Sequence, residues 1–109
     1  MKQGDIVLVD LNPTTGHEQS GVRPAVVVSS SIFSYSGLCI VCPITSVIKH
    51  RVGYVLLVRN KENGLKKNSE ILTSQIRTIS VARVSKKIGK ISETELYTAL
   101  ENINLHMGR

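Results

Sequence analysis

The sequence predicts a mainly β fold: an antiparallel, barrel-like sheet of roughly five to seven short strands followed by one C-terminal α-helix. Three observations carry that expectation. Short β-branched runs recur between Asp5 and Ser80 with no helical pattern interleaved. Dense turn signals separate the runs, among them Asn12-Pro13-Thr14-Thr15-Gly16, Ser34-Tyr35-Ser36-Gly37 and Asn63-Gly64. Helical spacing begins only at the capping box Ser92-Glu93-Thr94-Glu95. At 109 residues the chain forms a single domain, 1–109, with one core and no need of staples.

Taken in order, Asp5 to Leu11 alternates imperfectly and reads as a first strand, introduced by Gly4. Pro24 to Ser29 is a second, and its unbroken valines mark a strand buried on both faces. A serine-rich connection with one short helical turn leads to a third strand, Leu38 to Ile44, with Thr45 and Ser46 just past its end. Tyr54 to Val58 is a fourth, and Asn60 to Asn68 is a loop. Glu70 to Leu72 and Gln75 to Ser80 read as one interrupted strand or two short ones. Leu96, Ala99, Leu100, Ile103 and Met107 then line one face of the terminal helix.

Fourteen Lys and Arg against eight Asp and Glu leave a net charge of +6. Such a surface favours a polyanionic partner, a nucleic acid or an acidic protein. The N-terminus lacks a cleavable signal pattern and no apolar run approaches the ~20 residues of a membrane span. A cytoplasmic location and no membrane association are expected. Cys39 and Cys42 form a C-x-x-C, but within a strand positions three apart face opposite sides, so a shared metal or a disulfide is not expected. Both read as small core residues. The few aromatics, with no tryptophan, argue against a base-stacking platform. His50 and His106 read as surface residues.

The polar chemistry gathers in Gly16 to Arg23, where two glycines, an imidazole, a carboxylate, an amide, a hydroxyl and a guanidinium precede the rigid valine strand. Arg23 stands at the joint, held extended by Pro24. If strand ends meet, Arg23, Thr45 and a base from His17 or Glu18 converge. That set suits cleavage of a phosphodiester carrying a 2′-hydroxyl, which needs a base, a cation for the charge on phosphorus and an acid for the leaving oxygen. The nucleophile lies within the substrate, so neither metal nor other cofactor is required. The scattered cations, Lys49, Arg51, Lys66, Lys67, Arg77 and Lys86 among them, suit phosphate contacts.

Read together, these residues resemble the MazF/PemK family of toxin endoribonucleases. The resemblance runs through Gly4-Asp5-Ile6-Val7, Asp10-Leu11-Asn12-Pro13, Gly16-His17-Glu18-Gln19-Ser20-Gly21-Val22-Arg23-Pro24, Pro43-Ile44-Thr45-Ser46 and Ser74-Gln75-Ile76-Arg77-Thr78-Ile79. It implies an SH3-like barrel, a homodimer, metal-independent cleavage of single-stranded RNA at short sequences, and inhibition by a cognate antitoxin, expected to be acidic. It further implies catalytic roles for Arg23 and Thr45. Glu18 and His17 are the two candidates for the base, with Glu18 favoured and His17 then an RNA contact or auxiliary acid. Asn12, Gln19, Ser20, Gln75 and Arg77 are implied RNA contacts. Ser74 and Leu72 stand where some PemK-like members carry Asp and a catalytic Arg, so that version of the site is absent. The contrasting reading is a CcdB-like toxin, a non-catalytic module of the same barrel that binds and poisons DNA gyrase. Such a module has no use for the Arg23–Thr45 pair.

Overall fold

A computed structural model describes residues 1–11 and 21–108. Seven strands and one helix follow in the order β1 (Asp5–Asp10), β2 (Val22–Val27), β3 (Leu38–Thr45), β4 (Val55–Leu57), β5 (Ser69–Ile71), β6 (Arg77–Ser80), β7 (Val84–Lys90) and α1 (Glu93–His106). Every pairing is antiparallel, and the path runs β4-β5-β3-β2-β1-β7. The long β3 has β2 along one edge. Its other edge is shared by β6, against Leu38–Val41, and β5, against Ile44–Thr45. Among the described strands β4 and β7 end the path without pairing to each other, so the barrel stays open.

Alternation along β2 shows how the centre of this sheet is buried on both faces. Ala25 and Val27 join Val7, Val9, Cys39, Val41 and Ile79 on one side. Val26 and Val28 join Ile6, Cys42, Ile44, Leu57 and Ile71 on the other, where Leu96, Ala99, Leu100 and Ile103 of α1 complete the core. The valine run is therefore buried on both faces as its composition requires. Cys39 and Cys42 fall in opposite clusters and remain free thiols, so neither a shared metal nor a disulfide is within their reach. Burial pushes the Cys42 thiol up to about 12 and also raises that of Cys39, where the N-terminal ammonium opposes the rise.

The capping box forms as expected. Ser92 Oγ accepts from the Glu95 N–H at 3.0 Å and the Glu95 carboxylate accepts from the Ser92 N–H at 2.8 Å. Met107, expected on the apolar face, is instead the exposed C-cap residue, because the helix ends at His106. The sequence reading also left β7 unassigned. Its only branched apolar residues are Val84 and Ile88, and its pairing with β1 shifts register twice, between Ile6 and Val7 and between Leu8 and Val9. Bulges break the period-two signal, and Lys86, Lys87 and Lys90 mark it as a guarded edge.

Candidate active site

Two prolines end the β2–β3 ladder. Pairing runs from Val27↔Val41 to Ala25↔Pro43 and stops there, beside Pro24, which has no N–H to donate. Extending the register by two residues sets Arg23 against Thr45. These two side chains, from separate strands, line one cleft of about 540 Å³. Its floor is apolar, with Leu8, Leu65 and Ile88, and Lys66, Lys67 and Lys86 add their charges to that of Arg23. Thr45 is half-buried and Arg23 exposed, so the guanidinium reaches solvent while the hydroxyl sits at the wall. Thr45 Oγ1 accepts from the Val47 N–H at 3.1 Å. A hydroxyl whose oxygen is so engaged keeps its own proton to donate.

Lys66 and Lys67 reach this cleft because their loop is rigidly built. Asn63 is buried, and its Oδ1 accepts from the N–H groups of Asn60 and Leu65, both at 3.0 Å, while its Nδ2 donates to the Val58 carbonyl at 2.9 Å. Gly64 follows at φ +65°, where a Cβ would collide with the Ile88 carbonyl. Only glycine meets both conditions. The Asn-Gly pair legible in the sequence is thus what presents Lys66 and Lys67 beside Arg23.

On the other side of Thr45 lies a second cleft of about 500 Å³, lined by Thr45, Lys49, Arg51, Tyr54, Ser74 and Gln75 among others. Gln75 therefore joins Thr45 as expected. Thr45 borders both clefts, whereas Arg23 lines only the first. The loop carrying Lys49 and Arg51 is fixed from β5, where Glu70 is 2 % exposed and accepts from the N–H groups of Lys49 at 2.8 Å and His50 at 3.0 Å. It is also fixed from α1. Asn102 Nδ2 donates to the Gly53 carbonyl at 2.9 Å, and Thr73 Oγ1 donates to the same oxygen at 2.6 Å. With the threonine proton so committed, His106 Nε2, 3.0 Å from Thr73 Oγ1, must be the donor in that contact. His106 is exposed as expected, yet it also ties α1 to Thr73. Glu70, Thr73 and Asn102 were not singled out from sequence, since a lone Glu in a strand carries no motif.

His17, Glu18, Gln19, Ser20 and Asn12 lie outside the described residues, but both flanks of that segment are defined. Leu11 N donates to the Gly21 carbonyl at 3.0 Å, and Asp10 pairs with Val22, so the chain leaves and re-enters the sheet at the Arg23 end of β2. Arg77, an implied RNA contact, donates to the Leu11 carbonyl at 2.6 Å and lines neither cleft. Arg83 donates to the Asp10 carbonyl at 3.3 Å. Two arginines therefore hold the root of the segment that carries the candidate bases.

A small open barrel carries a cationic cleft at one strand end, a surface whose chemistry suits a polyanion. The whole-chain comparisons narrow this to a family. The pattern described as "PemK-like, MazF-like toxin of type II toxin-antitoxin system" matches residues 2–107. A protein named Endoribonuclease MazF from Staphylococcus epidermidis is 34% identical over 110 residues, covering 99% of this chain and 92% of that relative. The crystal structure of MazF from Deinococcus radiodurans superposes with a TM-score of 0.84 at 24% identity, covering 100% of this chain and 97% of that one. A MazE-MazF structure from the same organism gives 0.83 at 25% identity, with 99% and 96% covered. The chain belongs to the PemK/MazF toxin family.

Proposed function

We propose that this chain is the endoribonuclease toxin of a type II toxin–antitoxin pair. It cuts single-stranded RNA at short sequences by attack of a ribose 2′-hydroxyl on the adjacent phosphorus. The observation that carries the reading is the meeting of Arg23 and Thr45 from two strands on one lysine-walled cleft. A guanidinium there offers paired donors to the non-bridging oxygens as charge develops, and the Thr45 hydroxyl donates a third bond. Glu18 takes the proton of the 2′-hydroxyl, with His17 as RNA contact or auxiliary acid. The RNA strand passes over Thr45 from the Arg23 cleft into the cleft of Tyr54 and Gln75. Because the attacking oxygen belongs to the substrate, no metal is needed to make the nucleophile.

The relative of known structure titled MazE-MazF supports a cognate antitoxin. We assign it an acidic segment that lies in the Arg23 cleft, matching four cations above an apolar floor. The chain acts as a homodimer in the cytoplasm. Incubation with single-stranded RNA in excess EDTA tests the reaction. Cleavage should persist and leave a 2′,3′-cyclic phosphate and a 5′-hydroxyl, and a strand with deoxyribose at the cut linkage should bind intact. Cutting of that deoxy strand, or silence in EDTA, would overturn the mechanism.

A further inference from the structure

Glu70 is a buried carboxylate that the reaction just described does not use. In the register its backbone lies opposite Thr45 on one side and Leu56 on the other. Only 2 % of it is exposed, too little for water to solvate the charge. Its charge is compensated instead by two successive backbone donors, the Lys49 and His50 N–H groups, one on each carboxylate oxygen. Consecutive N–H groups converge on one anion only where the chain turns sharply. His50 supplies that turn at φ 53°, the one non-glycine residue at positive φ among those described. A buried charge held this way is costly to leave unpaired, so the loop and the carboxylate hold each other in one arrangement.

The consequence falls on the second cleft. Lys49 is one of the two clamped residues and Arg51 follows the other, and both line that cleft with Thr45, Tyr54 and Gln75. Without the clamp each would be a long cation on an exposed loop, carrying the entropy cost of ordering at every binding event. We propose that Glu70 is a positioning residue for substrate binding. By gripping the Lys49 and His50 amides it presets the backbone from which Lys49 and Arg51 meet the phosphates of an RNA strand leaving Thr45. This rests on the RNA-cleaving reading above and adds to it a determinant buried beneath the cleft.

The test compares Glu70→Gln with wild type on a cleavable RNA and on the same strand with deoxyribose at the cut linkage. Losing half the clamp should raise KM, and the Kd of the uncut strand, by about tenfold while kcat stays within about twofold. In a Lys49→Ala, Arg51→Ala background the same change should alter affinity less than about twofold, since the groups it positions are gone. Amide exchange at Lys49 and His50 should quicken in Glu70→Gln without RNA present. His50→Val reaches the clamp from outside the core, because a β-branched residue strains at positive φ, and should copy the KM effect. His50→Gly accepts that φ and should not. A fall in kcat with KM unchanged, an undiminished effect in the double background, or His50→Val binding as wild type would overturn the proposal. Wild type that binds the strand but cuts nothing would sink the nuclease reading and leave this one standing. Wild type that binds no RNA would sink both.

Discussion

In the proposed reaction Arg23 bears the largest chemical demand, since it would meet charge that exists fully only in the transition state. Arg23→Ala should lower the cleavage rate by about 10²–10³-fold, the loss of roughly 3–4 kcal/mol seen when an oxyanion donor is removed. Lysine should recover only part, because a point charge cannot grip two oxygens at once. The side chain is exposed at the strand end, so the melting temperature should stay near wild type. An inactive variant that also melts early would make Arg23 a structural pin instead. The base is decided separately. Histidine has the more suitable ordinary pKa, about 6.5 against about 4.3 for Glu, yet the family resemblance favours Glu18. Single-turnover rates of His17→Ala and Glu18→Ala across about pH 5 to 9 separate them. Glu18→Ala should be inactive and His17→Ala merely impaired. An inactive His17→Ala, with a limb near neutrality that Glu18→Ala preserves, reverses the roles.

At the scale of elements, β3 organises the site. Its two cysteines face opposite cores, its Pro43 stands at the end of the ladder with β2, and Thr45 terminates it between two clefts. The thiols leave a measurable trace. Cys42 is raised from 9.0 to about 12 in the fold by burial. The unfolded chain therefore releases that proton first, so the stability contribution is complete below pH 9.0 and declines as pH rises towards 12. The decline approaches about 1.4 kcal/mol per pH unit inside the window. Denaturation midpoints of wild type and Cys42→Ala, compared between about pH 8 and 11, isolate it from the lysines and tyrosines that titrate alongside. Parallel curves would mean the thiol ionises in place. The same scale explains what sequence patterning misses. β7 hides because two register shifts against β1 scramble its alternation. The capping box of α1 is plain because Ser92 and Glu95 satisfy each other within four residues.

Across the whole molecule, the +6 charge becomes an address once the fold sorts it. Arg23, Lys66, Lys67 and Lys86 border one cleft, Lys49 and Arg51 the other, while Arg77 and Arg83 bond to the carbonyls of Leu11 and Asp10. RNA affinity should fall with added salt, each phosphate neutralised adding about −0.7 to the log–log slope. Lys66→Ala and Lys86→Ala should flatten that slope, whereas Arg77→Ala should leave it unchanged and act on the rate through the loop it roots. The antitoxin's on-rate should slow with salt as well, and an antitoxin that inhibits without displacing RNA would show that the two sites are separate.

Sequence alone determined the mainly β class, the doubly buried valine strand, the opposed cysteines, the capped helix and the choice of Arg23 and Thr45 as candidates. Each depends on period-two alternation, on neighbours within a few residues, or on motifs that resemble a known family. Tertiary structure decided which cations line the clefts, that Thr45 borders two of them, and that His106 donates to Thr73, which with Asn102 holds the Gly53 carbonyl of a loop about fifty residues earlier in the chain. It alone disclosed Glu70, whose partners lie 21 and 20 residues away along the chain. A carboxylate's role depends on what is brought against it in space. No local pattern carries that information, because the two N–H groups that donate to it belong to the backbone and leave no mark on residue identity.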